Sequence, residues 1–295
     1  MTDAIRTPDD MLSGLPKFPF EPSYRQFDGF RLAHVDVGDG PPVVFLHGEP
    51  TWSFLWRQVI PPIRDGGFRC IAPDLPGFGR SDKPIDIGWY SYDTHTASIT
   101  ALVAELDLHD ATVVVHDWGG PIGLRVAVDN PDRITRLVVL DTGLFTGRQP
   151  MNSAWMAFRN FVERTEDLPV GLLVRRACLN DPGDQVIAAY DAPFPNPASK
   201  AGARAFPLIL PLTPDAPGAD AGARVLDALR TDTRPKLFLW ADSDPVLPLE
   251  PTGRRFAEAL GGQVDHVIPG ASHFLQEDAG PEIGDLIAAW LTSGA

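Results

Sequence analysis

The segment TVVVHDWGGPIG, residues 112–123, carries a β-branched apolar run that stops at Asp117, and a glycine pair then opens a helical pattern. A strand that turns sharply into a helix holds a nucleophile clear of the backbone, and at most such bends that nucleophile is serine. Aspartate changes the chemistry. A carboxylate attacking an acyl carbon gives a labile anhydride, whereas one attacking a saturated carbon with a leaving group gives an ester that water later opens. Asp117 therefore points to alkyl transfer.

Such a nucleophile needs a base, an acid to orient the base, and donors for the oxyanion. On sheet folds of this type they follow in the order nucleophile, acid, histidine. Asp242 and Asp244 lie in ADSDP after the apolar run 236–240, and His273 lies in PGASHF after the run 264–268, just before the last helical pattern. Of the seven histidines, His273 alone has that placement, and His266 falls inside the preceding run. The two aspartates compete for the orienting role. An Asp two residues before Asp-Pro ordinarily caps a turn, which favours Asp244 as the acid. Singly, each residue reads as a surface acid or a capping histidine; the ordered set of three does not.

The loop LHGEPTW, residues 46–52, supplies a glycine for a tight turn. The backbone N–H groups of Glu49 and Trp118 are the candidate oxyanion donors. The Glu49 side chain holds the loop, positions the hydrolytic water, or pairs with an arginine such as Arg57, and His47 reads as a structural histidine bonded within the loop. DLPGFGRS, residues 74–81, contains G-x-G without the strand-to-helix setting and downstream acid of a dinucleotide site. The histidines lack i,i+4 pairing and the chain has two cysteines, Cys70 and Cys178, so no metal and no other cofactor is expected.

The elements that must position these residues are legible as punctuated runs. Strand-like runs occur at 43–46, 69–72, 112–115, 136–140, 236–240 and 264–268, apolar enough to be buried on both faces of a mainly parallel sheet. Helical patterns at 53–64, 94–107, 119–130, 252–261 and 281–292 alternate with them, which predicts an α/β fold with a doubly wound sheet. From Gly143 to Arg230 the strand rhythm stops. Helical pieces at 154–164, 168–179 and 184–190 precede the proline-rich stretch APFPNPASKAGARAFPLILPLTPDAPG. The expected organisation is a core over 24–142 and 231–295 with a helical cap, 143–230, enclosing the site. The chain before Tyr24 reads as irregular.

A formal charge of −14 disfavours nucleic acid and anionic membrane surfaces as partners. The opening MTDAIRTPDDMLSGL lacks the apolar core of a secretory signal, and no run approaches the about 18 apolar residues of a membrane span. The two cysteines suit a reducing compartment, so a cytoplasmic location and a monomer are expected.

Together, HGEPTW, DLPGFGRSDKP, HDWGG and SHFLQED resemble the haloalkane dehalogenase family of α/β-hydrolases, from about Tyr24 to Trp290. The resemblance implies an α/β-hydrolase fold, Asp117 as nucleophile, His273 as base, Asp244 as its acid partner, and the Glu49 and Trp118 amides as oxyanion donors. It also implies two side-chain N–H donors for the departing halide. Trp118 matches the first and, with Glu49 where other members carry Asn, Trp155 in SAWMAF matches the second. Two indoles suit that task, because each donates without charge and so stabilises a halide without retaining it. The expected partners are a small neutral haloalkane and water, and the products are an alcohol, halide and a proton. One departure from the pattern is Val115, which stands where the bend usually has a small residue.

Two related chemistries make contrary demands. Epoxide hydrolases resemble this chain at HDWGG but use two cap tyrosines, and of Tyr24, Tyr90, Tyr92 and Tyr190 only Tyr190 falls in the expected cap. Fluoroacetate dehalogenases place arginines after the nucleophile, where this chain has Trp118 and Gly119. A catalytically silent binding protein on the same fold is the third alternative.

Overall fold

The apolar runs assemble into one eight-stranded sheet in the computed structural model, which describes residues 3–151 and 153–294. In chain order the strands are β1 Pro22–Phe27, β2 Phe30–Val37, β3 Pro42–Leu46, β4 Arg69–Pro73, β5 Ala111–His116, β6 Ile134–Leu140, β7 Lys236–Ala241 and β8 His266–Ile268. Their order across the sheet is β8-β7-β6-β5-β3-β4-β2-β1. All pairs from β4 to β8 are parallel, and β1 and β2 form an antiparallel margin. Every residue of β5 is buried, as expected for a strand covered on both faces.

Three expected elements take a different form. The pattern at 53–64 divides into a 3-10 turn, Ser53–Gln58, and a short helix α1, Ile60–Asp65, where Pro61 and Pro62 occupy the first turn. The run 264–268 pairs only from His266, because the Asp265 carboxylate itself accepts the Phe238 N–H at 2.8 Å. The last helical pattern begins earlier, at Leu275, with non-helical dihedrals at Ala279, just ahead of Gly280-Pro281.

Helix α2 Tyr92–Glu105, whose first turn is capped by Ser91 Oγ accepting from Thr94 N–H, packs against α3 Gly119–Asp129. Between β6 and β7 lie α4 Ser153–Arg164, α5 Val170–Ala177, α6 Asp184–Asp191, α7 Ala201–Ile209 and α8 Ala219–Arg230. After β7 come α9 Arg254–Ala259 and α10 Leu275–Thr292. The α7 helix runs through the proline-rich stretch and contains Pro207, and α8 packs on α3, with Arg224 paired to Asp129 at 2.8 Å. The described residues before Tyr24 pack onto the core. Phe18 and Phe20 are buried, and Phe18 meets Trp52 and Phe54 edge-on.

A buried charge cluster ties these layers together. Arg57 donates to Glu277 through both terminal nitrogens, at 2.5 and 2.7 Å, and the Tyr190 hydroxyl donates to the same carboxylate. The partner of Arg57 is therefore Glu277 at the start of α10, not Glu49. Cys70 and Cys178 are free thiols, and burial pushes the Cys70 thiol up to about 12, so it stays protonated and unreactive. No helix among the described residues is long and apolar enough to cross a membrane.

Removing one member of a buried ion pair strands the other charge, at a cost of about 3–5 kcal/mol. Glu277→Gln is expected to lower the unfolding free energy by about that much, read from the urea midpoint at constant m-value. An unchanged midpoint would show that the cluster does not hold α6 and α10 to the sheet.

Candidate active site

The sheet order brings the carboxyl ends of five neighbouring parallel strands to one edge. Leu46 of β3 lies beside Val115 of β5, His116 beside Leu140 of β6, Leu140 beside Leu239 of β7, and Ala241 beside Ile268 of β8. The loops that follow these strands therefore open together, at the edge where parallel sheets hold ligands.

Asp117 follows β5 with φ +49°, a left-handed conformation that a non-glycine residue holds only when its surroundings impose it. Three hydrogen bonds do so: Asp117 N–H to the Asp141 carbonyl at 3.2 Å, and the Asp117 carbonyl accepting Gly120 N–H at 2.9 Å and Thr142 Oγ1–H at 2.6 Å. Gly48 is required by proximity. A Cβ there would collide with the Asp117 carboxylate. Val115 at the small-residue position is accommodated because its methyl fills the space left by the missing Cβ of Gly123 on α3.

Glu49 N–H donates to Asp117 Oδ1 at 2.8 Å, and His273 Nε2 lies 3.5 Å from Asp117 Oδ2. On its other side, His273 Nδ1 bonds Asp244 Oδ2 at 2.9 Å. Asp244 is itself held by the Val246 and Leu247 N–H groups, at 2.6 and 3.1 Å on Oδ1. The other aspartate of ADSDP turns away. Asp242 accepts from Gly270 N–H at 3.0 Å, Ala271 N–H at 3.4 Å and Ser243 Oγ, pinning the loop that carries His273. The structure thus brings Asp117, His273 and Asp244 into one line and leaves Asp242 outside it.

The charges in this line sustain one another. Burial works to raise the Asp117 pKa, but hydrogen bonding and attraction from His273 outweigh it and hold the carboxyl below its ordinary value. Burial opposes charge on His273 as well, yet the two flanking aspartates push its pKa well above the ordinary imidazole value. Two other histidines at the edge are neutral. Burial lowers the His47 pKa, and its ring bridges Gly48 O and Leu75 N–H, as expected of a loop histidine. Burial brings His116 down to about 4, and its Nε2 bonds the His273 carbonyl at 2.8 Å.

Glu49 is 7% exposed, its Oε1 is buried without a hydrogen-bond partner, and burial together with Asp117 pushes its carboxyl well above the ordinary range. Asp117, His273 and Glu49 face a cavity of about 290 Å³ whose lining is otherwise mostly apolar, including Trp118, Trp155, Phe158, Leu173, Pro207 and Val246. Trp118 is buried and stacks on Phe206 of α7, with ring centroids 5.0 Å apart and planes 21° from parallel. None of the four tyrosines lines this cavity: Tyr190 bonds Glu277, Tyr90 bonds Pro84 O, Tyr92 bonds Pro121 O, and Tyr24 is exposed. An epoxide hydrolase's hydroxyl pair is therefore missing from the site. Sequence reasoning did not single out Asp141 or Phe206, whose parts depend on elements brought together from far apart in the chain.

The arrangement sets a carboxylate, an imidazole within reach of it and a backbone N–H donor at one apolar chamber, which can support attack by the carboxylate on a substrate and attack by water on the carboxyl carbon of the resulting ester. Comparison with known proteins gives the fold and the family. Residues 41–280 match the family described as alpha/beta hydrolase fold. A haloalkane dehalogenase of Mycobacterium marinum is 42% identical over 297 residues, covering 98% of this chain and 99% of that protein. One from Psychrobacter cryohalolentis is 37% identical over 298 residues, covering 97% of each. The tetrameric structure of haloalkane dehalogenase DpaA from Paraglaciecola agarilytica NO2 superposes with a TM-score of 0.90 at 35% identity, covering 96% of this chain and 97% of that one.

Because Asp117 is one of the two anions that keep His273 protonated, Asp117→Asn is expected to lower the His273 pKa, read by imidazole NMR titration of both proteins. Identical titration curves would remove Asp117 from the electrostatics of the base.

Proposed function

The chain belongs to the haloalkane dehalogenases of the alpha/beta hydrolase fold, and we propose that it hydrolyses carbon–halogen bonds through an ester formed on Asp117. The observation that carries this reading is the Asp117 carboxylate, kept ionised between an amide and an imidazolium while facing an apolar chamber. On this reading residues 143–230 are a cap over a core formed by 24–142 and 231–295.

In the first step Asp117 Oδ2, the oxygen not held by Glu49 N–H, displaces the halide in line. A C–O bond forms, the carbon–halogen bond breaks, and the halide leaves with the electron pair toward the indole N–H groups of Trp118 and Trp155. Esterification removes the Asp117 charge and with it part of what keeps His273 protonated. His273 then releases a proton, the acid product of the reaction, and Nε2 becomes the base for water. Hydroxide adds to the ester carbonyl whose oxygen, Oδ1, already lies on the Glu49 N–H, and the Trp118 N–H is the second oxyanion donor. Collapse expels the alcohol and restores the carboxylate. Asp244 holds the imidazole in the tautomer and orientation this requires.

The apolar lining fits small neutral haloalkanes. We read the active unit as a monomer and the cytoplasm as its compartment. No nucleic acid or membrane partner enters this reading.

His273→Gln is expected to form the ester but not open it, so mass spectrometry after exposure to 1,2-dibromoethane finds the alkyl adduct on the Asp117 peptide. Asp117→Asn is expected to abolish bromide release from 1-bromobutane. An unmodified Asp117 peptide, or undiminished bromide release, refutes the scheme.

A further inference from the structure

Strand β6 delivers a second carboxyl to the same edge. Asp141 follows Leu140 with φ +25° and is fully buried. Its Oδ1 accepts the Ala241 N–H at 3.0 Å, whereas its Oδ2 is buried and receives no N–H or O–H. Where β6 runs beside β7, the Asp141 carboxyl lies within hydrogen-bonding reach of that of Asp244. Two carboxyls this close in a dry interior do not both ionise readily. The donors decide which one keeps the charge. Asp244 has three, two backbone N–H groups and the His273 ring, while Asp141 has one. An ionised Asp141 would also leave Oδ2 as an uncompensated buried charge.

We propose that Asp141 is a protonated carboxylic acid whose Oδ2–H donates to Asp244, making it a positioning residue for the acid that orients His273. This rests on Asp244 having that role. The proton saturates the one oxygen of the pair that lacks a donor, and the bond disperses charge on Asp244. Asp244 then pulls less strongly on the His273 proton, which the base must release once the ester has formed. The groups facing Asp141 are consistent with this. Burial and Asp244 push its pKa well above the ordinary carboxyl value, while the Ala241 amide and His273 pull the other way without prevailing. From β5, Asp117 presents its backbone N–H, and the neutral His116 packs on the His273 ring with centroids 4.9 Å apart.

The sign of the stability effect follows. Unfolded, Asp141 ionises near the ordinary value of about 3.9, and folded it ionises higher. Stabilisation from the protonated pair is therefore complete below about pH 3.9 and is lost as pH rises toward the folded value. Asparagine offers an amide donor in the same place and does not titrate.

The test compares wild type, Asp141→Asn, Asp141→Leu and Asp244→Asn. The infrared difference spectrum of wild type minus Asp141→Asn at pH 7 is expected to show the C=O stretch of a protonated carboxyl. Wild-type stability relative to Asp141→Asn is expected to fall from about pH 4 upward. Loss of a hydrogen bond to a charged acceptor slows ester hydrolysis about ten- to a hundredfold in Asp141→Leu, and Asp141→Asn rescues most of that loss. No protonated-carboxyl band, or an Asp141→Asn variant as inactive as Asp244→Asn, overturns the proposal, because Asp141 would then be an ionised acid. If Asp141→Leu does not fold, the infrared band and the stability profile of Asp141→Asn still decide. A fully active Asp244→Asn overturns the triad reading instead, and a missing band beside an inactive Asp244→Asn overturns this inference alone.

Discussion

A carboxylate at the floor of an apolar chamber is the condition to which this molecule is built. Burial alone would neutralise Asp117, and a neutral acid displaces nothing. The sheet meets the demand by placing loops from five adjacent strands at one edge, so that an amide from the β3 loop and an imidazole from the β8 loop reach the same carboxyl. Each of those partners needs support of its own. His273 takes it from Asp244, and Asp244 takes it from the amides of its own turn. Two further carboxyls at this edge, Glu49 and Asp141, have their pKa values pushed well upward, which limits the repulsion the ionised pair must withstand.

The backbone serves the same end. A left-handed Asp117 lifts the carboxylate out of the strand, and Gly48 leaves room for it. Strain at one residue is sustained by hydrogen bonds with Asp141 and Thr142, which directly follow β6, and with Gly120 on α3.

How much of this could be read from the chain depended on the range of the signal. The β-branched run into Asp117, the Asp-Pro turn at Asp244 and the loop before the last helix are local patterns, and the strand order converts them into neighbours. The choice between Asp242 and Asp244 followed from turn chemistry, since an Asp placed before Asp-Pro binds loop amides, as Asp242 does. What stayed hidden was non-local. Asp141 looks like any acid at a strand end until β6 lies beside β7 and its carboxyl meets Asp244. The β1–β2 hairpin mixes polar and apolar residues at the sheet margin, and the alanine-rich α7 lies behind so many prolines that its stretch reads as a connection. Arg57 stood as an example of an arginine that could pair with Glu49, and the fold gives it Glu277 instead.

The α7 helix has a consequence for how this site tolerates change. Phe206 lies between Trp118 and the buried His95, whose ring is 4.6 Å away on a nearly parallel plane, while the next residue, Pro207, forms part of the chamber wall. One turn of helix therefore sets both the room available and the pose of the indole. Substitutions on α7 that admit bulkier molecules would at the same time loosen the clamp on Trp118. Leu173 of the chamber lies on α5, outside the helix that clamps Trp118, so divergence in molecular preference has a less costly route there.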